Sequence, residues 1–197
     1  MKTQNKIVCS VMAIIALVTG SAVPNYAPTE SPHPTQAVGV VRIGDFEGEL
    51  LVSPDALKVI GNAEGCMRTP YTCPAGLSTD GIGNTHGVTR EIKSDEQIAI
   101  DWTKNIIAAQ NCLASSGDVA SMSQGQIDAF TSFIFNTGCT RFKHNRDGSE
   151  TRIFKKIRAK HFYAACDEFK YWVYAGGQKL PGLVTRRADE REMCFAE

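Results

Sequence analysis

The sequence lacks a surplus of either charge: lysine and arginine number 21, and so do aspartate and glutamate, over 197 residues. A chain whose main task is gripping nucleic acid needs a cationic excess, so no nucleic-acid partner is expected. It also lacks paired C-x2-C steps. That sets aside a structural zinc site, and neither a metal nor a cofactor is expected. Hydrophobic residues make up 43% of the chain, far too few for a protein with many membrane spans. No internal repeat appears, and the length suits one compact domain with its own core plus a tail.

Cysteine, by contrast, is plentiful. Seven are present: Cys9, Cys66, Cys73, Cys112, Cys139, Cys166 and Cys194. That number points to disulfides formed in an oxidising compartment rather than to a cytosolic protein. The six from Cys66 onward can pair among themselves, which leaves Cys9 over, far away in the N-terminal segment.

That segment opens with Lys2 and Lys6 and continues into an uncharged run, Ile7 to Val23, of 17 residues. Positive charge before an apolar stretch is the layout of an export signal. The run sits near the lower limit for spanning a bilayer and is diluted by Ser10, Thr19, Gly20 and Ser21, so it would insert weakly. Three readings are open: a signal cleaved near Gly20–Ala22, a permanent anchor, and a weak anchor that later leaves the bilayer, which the unpaired Cys9 favours. All three send the rest of the chain across the inner membrane, with the lysines left in the cytoplasm. The stretch "PNYAPTESPHPTQAVGV" (24–40) reads as an extended linker. The division is then a signal-type segment over 1–26, a linker over 27–50 and a catalytic domain over 51–197.

Ser53 followed by Pro54 predicts a helix start, and Leu57, Ile60 and Ala63 carry it to the neighbourhood of Glu64. The glycine-rich stretch to Val88 predicts a small β-hairpin. Ser94 with Gln97, and Ser123 with Gln126, are capping-box patterns. The first opens a helix striped at 98, 102, 106 and 109, and the second an almost wholly apolar helix. Further helices are expected over 150–158, 160–173 and 183–195. Helix, small sheet, then many helices means an α+β fold with segregated parts.

The chemistry-bearing stretch is "EGCMRTPYTCPAGLSTDGIGNTHG", Glu64 to Gly87. With Glu64-Gly65, Tyr71, Gly76 and Thr79-Asp80-Gly81-Ile82-Gly83, it resembles the phage-lysozyme family of muramidases. "QGQIDAFTSFIFNTG" (124–138) and "WVYAGGQKLPGLVTRRADEREMC" (172–194) resemble the C-terminal lobe of that family. The resemblance covers roughly residues 50–197. It implies a lysozyme-like fold: a small N-terminal lobe with a β-hairpin, joined by a long helix to a helical C-terminal lobe.

It implies a catalytic set as well. Cleaving a glycosidic bond takes a protonated acid on the leaving oxygen and a second group that manages the water or the sugar's positive charge. Glu64 suits the acid if partial burial raises its pKa, and Thr79 would help hold the water. Cys73, nine residues after Glu64, stands where the family carries an aspartate. A thiol near pKa 8.5 is mostly protonated at neutral pH. Asp80 is a nearby carboxylate that could substitute, but alternation along a strand turns it away from Thr79, which ranks it lower. Asp80-Gly81 alone suggests a hairpin turn; the family pattern instead puts the turn at Pro74–Gly76. Asn84, where many members carry histidine, reads as structural, and His86 as a surface residue. Arg186, Arg187 and Glu190 are read as wall contacts or as surface and inter-lobe ion pairs, each worth little if exposed.

One subgroup of the family holds itself at the membrane by a signal-arrest-release segment, and the placement of the cysteines is similar. That likeness implies a switch. Cys66 and Cys73 would be bridged while Cys9 is shielded in the bilayer. On release the Cys9 thiolate would attack that bridge, and a Cys9–Cys66 bond would free Cys73. The duller reading is a permanent Cys66–Cys73 staple, with Cys9 in a discarded signal. Cys112, Cys139, Cys166 and Cys194 are expected to make two static bridges, preferably Cys112–Cys139 and Cys166–Cys194, a pairing that spacing does not decide. The implied protein is a monomeric endolysin. It would hydrolyse the β-1,4 bond between N-acetylmuramic acid and N-acetylglucosamine in peptidoglycan, held at the periplasmic face of the inner membrane and then released. A lytic transglycosylase and a non-catalytic wall-binding protein are the alternatives.

Overall fold

The computed structural model describes residues 6–20, 37–73 and 76–196, together with the backbone of 22–23. Lys2, the cleavage position at Ser21, most of the proline-rich stretch (24–36) and the hairpin tip at Pro74 and Ala75 lie outside the described residues. The chain runs α1 (Val11–Gly20), β1 (Ala22–Val23), β2 (Gly39–Ile43), β3 (Phe46–Leu50), α2 (Pro54–Glu64), β4 (Met67–Thr72) and β5 (Ser78–Gly81). It continues with α3 (Asp95–Ala114), α4 (Gln124–Thr137), α5 (Cys139–Lys143), α6 (Arg152–Arg158), α7 (Phe162–Cys166), β6 (Tyr174–Ala175), β7 (Gln178–Lys179) and α8 (Pro181–Phe195). Strands β1, β2 and β3 make one antiparallel sheet, while β4–β5 and β6–β7 are separate hairpins.

Two cores form, and α3 belongs to both. Its Ile98, Ala99, Trp102 and Ile106 pack with α1, α2 and the β2–β3 hairpin. Its Ala109, Cys112 and Leu113 pack with α4, α6, α7 and α8. The helix starts are those the caps predict: Ser94 Oγ accepts from Gln97 N, and Ser123 with Gln126 completes a capping box. Bridges Cys112–Cys139 and Cys166–Cys194 close loops of 27 and 28 residues in the helical lobe. On a chain-entropy view each is worth about 3–4 kcal/mol.

The segment from 39 to 50, placed in the linker on composition, is a β-hairpin instead. Gly44, at φ +56°, makes its turn with Asp45. Val41, Ile43 and Leu50 are buried in the first core. The region from 160 to 173 is a short helix, α7, followed by a 3-10 turn over Phe169–Tyr171, rather than one continuous helix.

The N-terminal apolar segment is also part of the fold. Ile14, Ile15 and Val18 of α1 are buried in the first core, worth about 1.5–3 kcal/mol each if taken from water. Among the described residues no helix is long and apolar enough to cross a membrane. The docking slot for α1 is Gly61 on α2, where an added Cβ would lie 2.5 Å from Val11 Cγ1. A β-branched side chain in a helix has little rotamer freedom with which to move aside. Gly61→Ala should therefore destabilise by about 1–2 kcal/mol, although helix propensity alone predicts a gain of about 1 kcal/mol. A thermal melt decides it: a raised Tm would show that Val11 moves aside freely.

Candidate active site

Helix α2 is aimed by its ends. Ser53 Oγ accepts from Ala56 N at 3.2 Å and donates to Asp128 Oδ2 of α4 at 2.5 Å. Burial pushes the Asp128 carboxyl above its ordinary range, and hydrogen bonds from Ser53 and Gln124 partly offset this. At the other end Gly65, with φ +71°, turns the chain out of the helix. Glu64, the last helical residue, thus sits where α2 of the first lobe meets α8 of the second.

Its carboxylate is held from that second lobe. Arg186 Nη1 donates to Glu64 Oε1 at 2.5 Å, and the Arg186 side chain is only 5% exposed. Arg186 Nε donates to Glu190 Oε1 at 3.1 Å and its Nη2 to the Ser132 carbonyl at 3.3 Å. Glu190, fully buried, also pairs with Arg187 and accepts from Ser132 Oγ. Arg187 reaches the Trp172 carbonyl and Asn136. Burial lowers the Arg187 pKa, and the Glu190 charge opposes that. Arg186 therefore makes the inter-lobe ion pair that the sequence offered, and with Arg187 and Glu190 it is buried rather than at the surface. They form a buried network that balances Glu64, and breaking such a network by removing one charge is costly.

The hairpin β4–β5 supplies the facing wall. Tyr71 pairs directly with Thr79, and Thr72 with Ser78. Cys73 N donates to Leu77 O at 2.9 Å, which carries the pairing to the tip. Directly paired residues, and those two apart, share a face, so Tyr71, Cys73 and Thr79 point the same way. Thr79 is buried, and its hydroxyl donates to Leu77 O at 3.1 Å; the oxygen's lone pairs are left to accept. Burial raises the Tyr71 pKa first, and the nearby charges of Glu64, Cys73 and Asp80 raise it further.

Asp80 does not supply a second acid there. It is 1% exposed and bound to Lys93 and Asn84 on the other side of the strand. Asn84 is buried in that cluster and His86 is exposed. Gly83, at φ +67°, packs so closely on Glu64 that a Cβ would come within 3.0 Å of Oε2. Tyr71 carries no role in the sequence reading, and Glu64 is not legible there as the partner of Arg186 because the two lie 122 residues apart. The four-residue step from Arg186 to Glu190 was the one local sign of a pair.

Cys9 is bridged to Cys66, and Cys73 keeps its thiol. The N-terminal residues reach Cys66 as a strand laid along β4. Ile7 N donates to Thr69 Oγ1 at 3.1 Å, Arg68 N to Ile7 O at 2.7 Å, and Cys9 N to Cys66 O at 3.2 Å. Cys66 and Cys73 flank the six extended residues of β4. At about 3.3 Å per residue that sets them on the order of 20 Å apart. A disulfide needs Cα atoms within about 7 Å, so a Cys66–Cys73 bridge and this hairpin exclude each other.

The phage lysozyme family model matches residues 61–190. The SAR-endolysin of Escherichia phage P1 is 40% identical over 154 residues, which is 75% of this chain and 83% of that protein. Among solved structures, the active form of the phage P1 endolysin superposes with a TM-score of 0.72 at 34% identity, covering 95% of this chain and 94% of that one. The secreted inactive form of the same endolysin gives 0.51 at 39% identity, over 71% of this chain and 92% of that one. With the acid at the end of α2, the facing hairpin and these likenesses together, the chain belongs to the phage lysozyme family.

Proposed function

We propose that this protein is a phage endolysin, a muramidase that hydrolyses the β-1,4 bond between N-acetylmuramic acid and N-acetylglucosamine in peptidoglycan. The observation that carries the reading is Glu64, 21% exposed, fixed by Arg186 of one lobe against the Tyr71–Cys73–Thr79 face of the other. Glu64 in its acid form gives its proton to the leaving glycosidic oxygen. Water adds to the anomeric carbon as that C–O bond breaks, the proton it sheds passes to solvent, and Glu64 takes a proton back from solvent for the next turnover. Thr79, its own proton committed to Leu77, accepts a hydrogen bond from the water. Cys73 takes the place of the second carboxylate and orients the same water. Because water takes the anomeric carbon, the product keeps a reducing end.

Activity is gated by the disulfide. In the membrane-held form Cys66 and Cys73 are bridged, and β4 cannot extend. When the apolar segment leaves the bilayer, the Cys9 thiolate attacks Cys66 Sγ. The Cys66–Cys73 bond breaks, Cys73 departs as a thiolate and takes up a proton, and no net oxidation occurs. Residues 7–9 then lie along β4 and α1 docks at Gly61. Core and bilayer are both apolar surroundings for Ile14, Ile15 and Val18, so moving between them costs those side chains little. The closer match to the active form of the phage P1 endolysin supports reading the present arrangement as the released, competent one.

Mass analysis of fragments from purified sacculi tests the reaction. Reducing N-acetylmuramic acid ends are expected. Anhydro ends would establish a transglycosylase, and absence of any fragment from the Cys9–Cys66 form would remove the enzyme reading.

A further inference from the structure

Strand β5 carries two neighbours with different duties. Thr79 faces Tyr71, whereas Asp80 turns beneath the strand. A buried carboxylate must be paired to persist. Asp80 Oδ1 accepts from Lys93 Nζ at 3.0 Å and from Asn84 Nδ2 at 2.8 Å, while its Oδ2 is buried without a partner among the described residues. Lys93 Nζ donates as well to Asp101 Oδ2 of α3 at 2.5 Å. Burial works to lower the Lys93 pKa, but its hydrogen bonds to Asp101 and Asp80 prevail and raise it. A parallel thread runs from Asn105 Nδ2 to Asn84 Oδ1 at 3.2 Å. Asp101 and Asn105 are one turn apart, so both threads end on one face of the helix that joins the lobes.

The same cluster reaches the reacting groups. Lys93 N donates to the Arg68 carbonyl of β4 at 3.1 Å. Asp80 and Asn84 exchange backbone hydrogen bonds at 2.9 Å each way, enclosing the turn that contains Gly83. Gly83 touches Glu64, and Thr79 directly precedes Asp80. The ion pair therefore sits one residue from Thr79 and, through Asn84, is tied to the neighbour of Gly83, without entering the catalytic gap.

We propose that Asp80 and Lys93 are positioning residues for hydrolysis. The Asp80–Lys93–Asp101 bridge clamps the hairpin to α3, so that Thr79 and Gly83 keep their placement against Glu64. This rests on the assignment of Glu64 and Thr79 made above. The clamp acts on the placement of the water rather than on the hold on the glycan, so it should move kcat and leave KM.

The test compares Asp80→Asn, Lys93→Met, the double variant and Lys93→Arg with wild type, all in the Cys9–Cys66 form and well below their melting temperatures. Two quantities are read: kcat and KM on solubilised glycan strands, and the rate of Cys73 alkylation by iodoacetamide. Asp80→Asn and Lys93→Met are expected to lower kcat about 10–100-fold with KM within about twofold, and to raise Cys73 alkylation about tenfold. The double variant should be no worse than the worse single one: the deeply buried Asp80 charge is removed together with its lysine, and Asp101, less deeply buried, keeps its hydrogen bond from Gln97. Lys93→Arg should stay within about fivefold of wild type. If Lys93→Met is too unstable to assay, Asp80→Asn and the double variant decide the matter. A fall in Tm with kcat and alkylation both within twofold of wild type overturns the proposal and makes the bridge merely structural. Alkylation does not depend on catalysis: an inert wild type contradicts the muramidase reading, whereas unchanged alkylation contradicts this one.

Discussion

Cys9→Ser should leave the exported protein folded but reduced in activity on the order of 10²-fold or more under oxidising conditions, a scale set by losing the placement of groups about the reacting bond. The cause is geometric. Without Cys9 nothing displaces Cys73 from Cys66, and a Cys66–Cys73 bridge draws together two residues that the extended β4 holds far apart. Tyr71 and Thr79 then lose the pairing that puts them on one face. A thiol reductant should restore the variant, because a reduced Cys66 lets the strand extend. Cys66→Ser should be active with or without reductant. Wall-turbidity clearing reads all three; full activity of oxidised Cys9→Ser would show that Cys9 has no part in the switch.

Glu64→Gln is expected to cost about 10²–10⁴-fold in kcat, the usual contribution of a general acid. The glutamine oxygen can still accept from Arg186, and Arg186 retains Glu190 and the Ser132 carbonyl. Glu64 is also the most exposed member of the network, so the variant should give an unchanged circular dichroism spectrum and a Tm lowered by no more than a few degrees. That separates lost chemistry from lost structure. Glycan turnover within tenfold of wild type would assign the proton to another group, and the catalytic reading of this site would fall.

Much of the fold could be read along the chain. Ser53, Ser94 and Ser123 marked the starts of α2, α3 and α4 because a cap is a local interaction, satisfied within three residues. The candidate acid was legible because the Glu-Gly step and the Thr-x-Gly-x-Gly run lie close together. The hairpin from Gly39 to Leu50 carried its own signal, Gly44-Asp45 between two short strand-like runs, but the prolines before it gave the segment a linker's composition. Helix α1 was harder. An apolar segment has the same sequence whether its solvent is lipid or a protein core, and only Gly61, far along the chain, provides its slot. The buried charges were least legible of all. Composition cannot tell Arg186 or Lys93 from a solvated cation, since what buries them arrives from other elements: α2 and α4 for the one, β5 and α3 for the other. Asp80 shows both sides of this. Strand alternation put it on the face away from Thr79, and the structure gives the reason in Lys93, which no spacing rule would have named.

The disulfide bears the most weight, because it decides whether β4 exists in extended form at all. Mapping it by alkylation and mass spectrometry, on protein taken from the membrane and on protein released from it, addresses this directly. Cys66 is expected to be joined to Cys73 in the membrane-held pool and to Cys9 in the released pool. A Cys9–Cys66 bond already present in the membrane-held pool, or a released and active protein that still carries Cys66–Cys73, would contradict it.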